Sequence, residues 1–337
     1  MKLPKFDYQA PESLGEACKI SAREGRQALI IAGGTDLLQA LKNGLKKPGM
    51  LLDIGSLAEL RQLTYSAQQG LTIGALVTLR QLAAQEAVRK AYPLLAQTAL
   101  TVGSVQLQAM GTLGGNLCQD TCCLYYNLPP MSRLGLDPCF KLEGKKCHVV
   151  TGSKVCWATY SGDMAPALLV LQATVTIADR KGEKTLPLQE IYSGRGESPY
   201  ILKPGQILKT INVPPPPSPG GGVYLKMRMR KSIDYPLLGV AVAISLHRRT
   251  GLLKNSLVAL TAVDKAPLLI TRPKEIEEAK TLEQQIEIMV QAAHGKAHPV
   301  ANTSGYSPRY RREMVGVYVR QGIEQALAMA SGKGNKA

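Results

Sequence analysis

The stretch IAGGTDLL, Ile31 to Leu38, lies where a short apolar strand would turn into the start of a helix. A second turn of the same kind, GTLGGN, spans Gly111 to Asn116. Because glycine has no side chain, such turns can direct consecutive backbone N–H groups at one point, and a helix start adds to the attraction for anions. Two such turns in one domain predict a site that holds the two phosphates of a dinucleotide from opposite sides.

Neither turn follows a common nucleotide-binding pattern. Both differ from the G-x-G-x-x-G dinucleotide fingerprint and from the G-x-x-x-x-G-K-S/T phosphate loop. Double glycines also occur in purely structural turns, so each motif alone is compatible with a turn that binds nothing. Any nucleotide site formed by these turns is therefore of another type.

The length and composition are those of an ordinary globular protein. The chain has 337 residues, of which 45% are hydrophobic and 20% are charged, enough for two or three domains with a substantial core. No apolar run approaches the ~18 residues that a membrane helix needs, and the N-terminus has no continuous apolar stretch. We therefore expect a cytoplasmic protein with no membrane segment and no secretory signal.

The net charge of +16, from 41 Lys and Arg against 25 Asp and Glu, indicates an anionic ligand or an acidic partner. The basic residues are scattered, and only two phenylalanines and one tryptophan are present for base stacking. Nucleic-acid binding is therefore not expected. A phosphate-bearing cofactor or an acidic partner subunit accounts for the charge at least as well.

A linker rich in proline and glycine, PPPPSPGGG, divides the chain into two predicted domains. Residues 1–217 form the first, in which short apolar strands alternate with helical stretches, including one helix over Thr78–Lys90. Residues 218–331 form the second, with three antiparallel strands followed by two helices, Pro273–His294 and Pro308–Ser331.

Regular patterns stop between Gln119 and Lys154, in a stretch rich in Cys, Pro, Gly and Lys. Loops longer than about fifteen residues are uncommon in compact domains unless they are functional or disordered. Six of the seven cysteines lie between residues 118 and 156. In a reducing compartment such clustering indicates metal binding or redox chemistry rather than disulfides. A bound metal could also order a loop that has no apolar core.

Four of these cysteines, Cys123, Cys139, Cys147 and Cys156, are separated by 16, 8 and 9 positions. Four thiolates can hold a 4Fe-4S cluster or a structural zinc ion. Zinc sites usually contain paired C-x2-C knuckles, and these gaps are wider, so the spacing favours the iron–sulfur cluster over zinc or incidental cysteines. Cys122 competes with Cys123 for the first ligand position.

The remaining cysteines have structural interpretations. Cys118 directly follows the second glycine turn and is predicted to pack inside the domain. Cys18 lies within a predicted helix and is expected to be a small buried hydrophobe. No Ser-His-Asp or paired-carboxylate arrangement stands out, which argues against a self-contained hydrolase.

Five motifs resemble, in order, the FAD-binding subunits of molybdenum hydroxylases: IAGGTDLL, LTIGALVTLRQLA, GTLGGN, GDMAPALLVL and YLKMRMRKSIDYPLLGVAVA. That family includes the xanthine dehydrogenases and the medium subunit of carbon monoxide dehydrogenase. The resemblance covers nearly the whole chain. Most members lack the cysteine-rich loop, and its presence makes the chain similar to the beta subunit of 4-hydroxybenzoyl-CoA reductase, whose flavin domain carries an inserted loop with a 4Fe-4S cluster.

The resemblance implies an α+β fold in two domains. The first is an FAD-binding domain of the vanillyl-alcohol-oxidase (PCMH) type, made of two α/β subdomains, with the cluster loop inserted at residues 119–157. The second is a smaller C-terminal α+β domain with a three-stranded antiparallel sheet and helices.

The resemblance also implies site residues. The first FAD pyrophosphate loop comprises Ala32, Gly33, Gly34, Thr35 and Asp36. The second comprises Thr112, Gly114, Gly115 and Asn116. The cluster ligands carry over as Cys123, Cys139, Cys147 and Cys156. One departure precedes the second turn, where QLQAMGT replaces the more usual QIRNxGT, so the side chains of Gln108 and Ala109 support no role by resemblance.

Three further positions are implied beside the flavin ring. Asp163 matches an acid, Leu208 an apolar contact and Lys226 a basic residue, and a cation there would stabilise the reduced, anionic flavin. Each has a simpler alternative: Asp163 only caps the following helix, Lys226 is a solvated strand residue, and Leu208 belongs to the ordinary core.

The function that the resemblance implies is electron transfer. This chain would carry FAD and a 4Fe-4S cluster and exchange electrons with a small subunit holding 2Fe-2S clusters, a catalytic subunit holding the molybdenum cofactor, and an external carrier such as ferredoxin. The assembly would be a heterotrimer, doubled to a hexamer. The reaction would be reductive dehydroxylation of an aromatic acyl-CoA. The alternatives are an oxidative aldehyde, N-heterocycle or xanthine dehydrogenase, and a zinc-stabilised binding module without redox activity.

Overall fold

A computed structural model describes residues 3–216, 220–230, 232–247, 249–302 and 304–331 of the chain. No helix within these ranges is both long enough and apolar enough to cross a membrane. The predicted domain boundary at residues 217 and 218 lies outside the described residues, between a strand that ends at Val213 and one that begins at Gly220.

The first part of the chain forms a small parallel sheet. Its strands are β1 (Asp7–Gln9), β2 (Ala28–Ile31) and β3 (Met50–Asp53), in the order β1–β3–β2. Helix α1 (Leu14–Glu24) packs on it through an apolar face that includes Cys18, which is 1% exposed. The prediction of Cys18 as a buried hydrophobe is thereby confirmed.

The first glycine turn connects β2 to a helix, as its sequence predicts. Strand β2 ends at Ile31 and helix α2 (Leu37–Lys42) begins six residues later.

The second subdomain is built on an antiparallel sheet of five strands. They are β4 (Leu63–Ser66), β5 (Gly70–Gly74), β6 (Thr174–Asp179), β7 (Gly182–Pro187) and β8 (Ile207–Val213), in the order β4–β5–β8–β6–β7. The helices of this part of the chain are α3 (Leu79–Ala84), α4 (Glu86–Ala91), α5 (Pro93–Thr101), α6 (Val105–Met110), α7 (Leu113–Leu117) and α8 (Met164–Val170). Buried residues of α3, α5, α7 and α8 share one core with this sheet.

The prediction of a single helix over Thr78–Lys90 is wrong, because the chain forms two short helices there. Thr78 and Gln81 make a reciprocal capping box that starts α3. Gln85 then takes an extended conformation, with φ −68° and ψ 122°, and α4 begins directly after it. Helical spacing of apolar residues continues across the break, so periodicity alone could not reveal it.

The C-terminal part contains an antiparallel sheet of four strands, not the three that were predicted. They are β9 (Gly220–Met227), β10 (Leu238–Leu246), β11 (Leu253–Thr261) and β12 (Leu268–Ile270), in the order β12–β11–β10–β9. The additional strand, β12, has only three residues at the sheet edge. A strand this short shows no alternation of apolar and polar residues that a sequence pattern could detect.

Two helices, α9 (Leu282–Lys296) and α10 (Pro308–Ala330), cover one face of this sheet. The helix predicted from Pro273 instead begins after a Thr281–Gln284 capping box, and Lys274–Glu278 forms a separate 3-10 turn. The second helix starts at Pro308 as predicted. The opposite face of the sheet contributes Tyr224, Ala241 and Ala259 to the core of the five-stranded subdomain, so the two parts pack directly against each other.

The cysteine-rich loop, residues 119–157, lies between α7 and α8 and has little regular structure. Its helical segments are two 3-10 turns, Pro130–Arg133 and Phe140–Leu142. Isolated bridges join Cys122 to Thr159 and Cys139 to Lys146. The prediction of a long irregular loop is therefore confirmed.

Candidate functional site

The first glycine turn forms one wall of a cavity of about 430 Å³, a volume typical of small-molecule and cofactor sites. Within the described ranges, no hydrogen-bond acceptor is found for the backbone N–H groups of Gly33, Gly34 and Thr35. Gly34 has a φ of +70°, a conformation that glycine adopts without strain. Consecutive free N–H groups at a concave surface have the geometry of an anion-binding nest.

The two glycine turns are in direct contact. A Cβ atom at Gly33 would lie 1.9 Å from the backbone oxygen of Met110, at the end of α6 and just before the second turn. No side chain fits in that space, so glycine at this position is a requirement of the packing. The structure therefore brings together two motifs that lie about 80 residues apart in the sequence.

The second turn is not an anion nest, which corrects the prediction of two equivalent phosphate loops. The N–H groups of Gly114, Gly115 and Asn116 all donate within the chain, to Ala75 O, Thr112 Oγ1 and Thr112 O at 2.9, 3.0 and 2.9 Å. The two bonds to Thr112 cap the start of the short helix α7. Thr112, Gly115 and Asn116 of this turn line the cavity.

Most of the predicted FAD-binding residues share this cavity. Those that line it are Ala32, Gly33, Gly34, Thr35, Asp36, Thr112, Gly115, Asn116 and Asp163. Three do not. Gly114 packs against Ala75, and Lys226 reaches the cavity only through its contact with Asp163. Leu208 is 6% exposed within the core of the five-stranded subdomain, as the simpler alternative for that residue expects.

Asp163 and Lys226 form a buried ion pair beside the cavity. The Lys226 Nζ atom lies 3.0 Å from Asp163 Oδ2 and also donates to the backbone oxygen of Thr101. The Tyr224 hydroxyl donates to the other carboxylate oxygen at 2.7 Å. Burial raises the pKa of Asp163, while Lys226 and Tyr224 partly oppose that rise.

These contacts exclude the simpler alternatives for both residues of the pair. The Asp163 side chain makes no capping bond to α8, so it does not act as a helix cap. The Lys226 side chain is 3% exposed, so it is not a solvated strand residue. A buried lysine held by a carboxylate is a fixed positive charge close to the cavity wall.

The prediction missed the loop that closes the cavity between β9 and β10. Arg230, Ile233, Asp234 and Tyr235 of this loop line the cavity. The Asp234 carboxylate accepts the backbone N–H groups of Met229 and Arg230 at 3.1 and 3.2 Å, which holds the loop in a tight turn. The sequence did contain a signal for this loop. In SIDYP an aspartate lies next to a serine and a proline, and these residue types are common in turns.

The four predicted cluster cysteines all lie within the loop. Three of them accept a backbone N–H bond at sulfur: Cys123 from Tyr126 at 3.2 Å, Cys147 from Val150 at 3.5 Å and Cys156 from Ala158 at 3.4 Å. Such bonds to sulfur are among the interactions that tune iron–sulfur sites.

Burial and neighbouring thiols shift the pKa of two of these cysteines. Burial raises the pKa of Cys123, the Tyr126 N–H bond lowers it, and the charges of Cys139 and Cys147 raise it further. Burial raises the pKa of Cys156 to about 11, with contributions from Cys123 and Cys147. Within the described ranges, no group of three or more Cys, His, Asp or Glu side chains is arranged to bind one metal ion.

The other two clustered cysteines are Cys122 and Cys118. Burial raises the pKa of Cys122 to about 11, the neighbouring Cys123 raises it further, and Lys141 opposes the rise. Cys118 was expected inside the domain, but it is partly buried and lines the cofactor cavity. Burial raises its pKa to about 12. All seven cysteines are free thiols.

A nest of free N–H groups, a second glycine turn packed against it and a C-terminal sheet that supplies a buried cation define a flavin-binding subunit. Residues 4–216 match the FAD binding domain in molybdopterin dehydrogenase. The chain therefore belongs to the molybdenum hydroxylase family as an FAD-binding medium subunit, and it is part of an oxidoreductase.

Relatives and solved structures agree with this assignment. The chain is 34% identical over 308 residues to the aldehyde oxidoreductase FAD-binding subunit PaoB of Escherichia coli (strain K12), covering 89% of this chain and 92% of the relative. It is 24% identical over 326 residues to the carbon monoxide dehydrogenase medium chain of Afipia carboxidovorans, covering 96% and 98% of the two chains.

Among solved structures, reconstituted CO dehydrogenase from Oligotropha carboxidovorans aligns with a TM-score of 0.78 at 23% identity, covering 98% of this chain and 100% of that chain. Quinoline 2-oxidoreductase from Pseudomonas putida 86 aligns with a TM-score of 0.75 at 24% identity, covering 99% and 100%. These likenesses confirm the predicted mixed α and β fold.

Proposed function

We propose that this chain is an electron-relay subunit that binds FAD in the cavity between its glycine turns. The nest at Gly33, Gly34 and Thr35 carries the proposal, because its free N–H groups suit the pyrophosphate of a dinucleotide. Bound FAD would supply a centre that exchanges electrons singly or in pairs.

The other residues of the cavity would orient this cofactor. The Thr112 hydroxyl and the Asn116 side chain lie on the opposite wall, and the loop through Ile233 and Tyr235 would limit the access of water. The Asp163 carboxylate lines the cavity, and its ion pair with Lys226 would offset its negative charge beside a bound flavin.

We further propose that Cys123, Cys139, Cys147 and Cys156 bind a 4Fe-4S cluster. Three of the four sulfurs accept backbone N–H bonds, and neighbouring thiols of the set raise the pKa of Cys123 and Cys156. The loop has little regular structure, and binding of a metal centre can supply stability to such a loop. Cys122, next to Cys123 in the chain, is not assigned as a ligand.

For the reaction of the complex, we propose oxidation of an aldehyde on a partner subunit that holds the molybdenum cofactor. The relative named as an aldehyde oxidoreductase subunit supports this direction. Electrons would arrive through a small 2Fe-2S subunit, reach this chain and leave to an external carrier such as ferredoxin. The assembly would be a heterotrimer, doubled to a hexamer.

Reductive dehydroxylation of an aromatic acyl-CoA is the second candidate. The cysteine-rich loop favours it, because that loop resembles the one in 4-hydroxybenzoyl-CoA reductase. Assays of the purified complex with aldehydes and with aromatic CoA thioesters separate the two. If the complex converts the thioesters and not the aldehydes, the reductive reaction replaces aldehyde oxidation as the proposed function.

The cofactor content tests the relay itself. We expect anaerobically purified protein to contain one FAD together with iron and acid-labile sulfide in equal amounts. Protein that contains zinc instead of iron and shows no flavin absorption would support the alternative of a zinc-stabilised binding module without redox activity.

A further inference from the structure

A second cavity lies directly beside the nest of the first glycine turn. Its volume is about 510 Å³, and it shares Ala32, Gly33 and Thr112 with the proposed FAD cavity. Gly33, which lines both cavities, is in close contact with the backbone of Met110, which lines the second. A ligand with its pyrophosphate at the nest could therefore extend in two directions, with one half in each cavity.

The second cavity lies at the carboxyl ends of two parallel strands. Strand β2 ends at Ile31, directly before Ala32, and β3 ends at Asp53, two residues before Gly55. Ala32 and Gly55 both line the cavity. The Asp53 carboxylate accepts the backbone N–H of Gly55 at 2.7 Å, which fixes the turn after β3. In open sheets of parallel strands, ligands bind in the crevice outside the carboxyl ends, so the cavity has the position of a ligand site.

Part of the lining of this cavity is apolar. Met110, the last residue of α6, is 60% exposed although it is a large hydrophobic residue. Leu76, Ala84 and Ala109 line the same cavity. A single exposed methionine is ordinary on a protein surface. Here it lies in a cavity next to a phosphate nest, and its thioether makes favourable contacts with aromatic rings. A flat aromatic group such as adenine would cover it.

Two arginines, Arg61 and Arg80, line the same cavity and are exposed. The Arg61 Nη2 atom donates to the backbone oxygen of Gly55, which holds its guanidinium near the end of β3. Arg80 lies in the first turn of α3. Guanidinium groups stack on aromatic faces and bind phosphate oxygens. Together with the apolar lining, these arginines suit a base that is joined to a phosphate.

We propose that the second cavity binds the adenosine half of FAD, and that Arg61 and Arg80 determine a preference for FAD over FMN. This inference rests on the proposed binding of FAD with its pyrophosphate at the nest. The flavin half would extend into the first cavity, which Asp163 lines. FMN has the flavin and one phosphate but no adenosine, so only FAD would gain contacts with the two arginines.

The test compares the affinities of the complex for FAD and for FMN. One variant combines Arg61→Gln with Arg80→Gln. The matched control combines Arg89→Gln with Lys184→Gln, which removes the same charge at exposed positions outside the cavity. Flavin is removed from each purified complex with concentrated salt, and folding is checked by circular dichroism. Dissociation constants for added FAD and FMN are then measured from the quenching of flavin fluorescence.

We expect the cavity variant to bind FAD at least about tenfold more weakly than the control, because contacts to one base are lost. Its affinity for FMN should change less than about threefold. ADP has the adenosine and both phosphates but no flavin, so it should compete with FAD at least about tenfold less well in the cavity variant. Met110→Ser removes apolar surface without a change of charge, and it should weaken FAD binding while FMN binding is retained.

Equal losses of affinity for FAD and FMN, or no loss for either, would overturn the inference, as would an unaltered complex that binds both flavins equally well. If the cavity variant does not fold, Met110→Ser decides by the same comparison of FAD with FMN. An unaltered complex that binds neither flavin would instead refute the proposed function, so the two failures are distinguishable.

Discussion

The carboxylate of Asp163 and the ammonium of Lys226 lie 3.0 Å apart, with side chains that are 5% and 3% exposed. The first residue precedes α8 and the second lies on β9, so the pair joins the flavin-binding part of the chain to the C-terminal sheet. A buried pair of this kind is strongly destabilised when only one partner is removed, because the other charge is left without compensation.

Replacement Lys226→Met should therefore lower the free energy of unfolding by about 3–5 kcal/mol. Urea unfolding followed by circular dichroism measures this loss. Lys184→Met, at an exposed strand lysine, is the control and should change stability by less than about 0.5 kcal/mol. Asp163→Asn combined with Lys226→Met should recover much of the loss, because the buried charge is gone.

The loss in Lys226→Met should depend on pH. Burial already raises the pKa of Asp163, and Lys226 opposes that rise, so removal of the lysine raises the pKa further. A carboxyl with a raised pKa in the folded state contributes stability at low pH that is lost as the pH rises through that pKa. The loss of unfolding free energy in Lys226→Met should therefore be smaller at pH 5 than at pH 8. An equal loss at both pH values would show that Asp163 is not a charged, unpaired group in the variant.

Gly33→Ala should abolish FAD binding while the C-terminal part stays folded. The added Cβ would lie 1.9 Å from the backbone oxygen of Met110, so the two turns must separate and the nest loses its shape. Flavin absorbance per protein measures the effect, and we expect at least tenfold weaker retention. Gly15→Ala, where no atom lies within 4 Å of the added Cβ, should retain FAD. Full flavin content in Gly33→Ala would show that the nest does not hold the cofactor.

Cys123→Ser and Cys122→Ser should differ sharply although the residues are adjacent. The Cys123 sulfur accepts the Tyr126 N–H, whereas the Cys122 backbone exchanges hydrogen bonds with Thr159. We expect Cys123→Ser to lose most of its iron and sulfide and Cys122→Ser to keep them. FAD content is the internal control for folding. The reverse pattern would assign Cys122 as the ligand.

Removal of iron should expose the loop at residues 119–157 to proteolysis. Its regular structure is limited to two 3-10 turns, and Lys145 and Lys146 are exposed. On the proposal that this loop binds a 4Fe-4S cluster, we expect trypsin to cut there at least tenfold faster after oxidative removal of iron, because metal binding would supply stability to the loop. Mass spectrometry of the fragments identifies the site. Equal cleavage rates with and without iron would show that the loop is stable by itself.

Local signals explain why much of the fold could be predicted. A glycine turn between a strand and a helix, and Pro308 at a helix start, depend on backbone geometry within a few residues, and the structure confirms both. The break of the helix at Gln85 and the edge strand β12 were missed because packing against distant elements outweighs the weak local pattern. The chain therefore shows two short helices and a fourth strand where periodicity predicts one helix and three strands.

The sequence by itself determined where the two glycine turns lie and where cysteines are dense enough to suggest a metal centre, because both properties belong to residue type and spacing. Only the tertiary structure decided that the first turn keeps its N–H groups free while Ala75 and Thr112 occupy those of the second. It also decided that Lys226 meets Asp163 and that Lys141 meets Asp120. Charged partners separated by tens of residues have no local signature, since their pairing depends on burial and distance that arise only when the chain is folded.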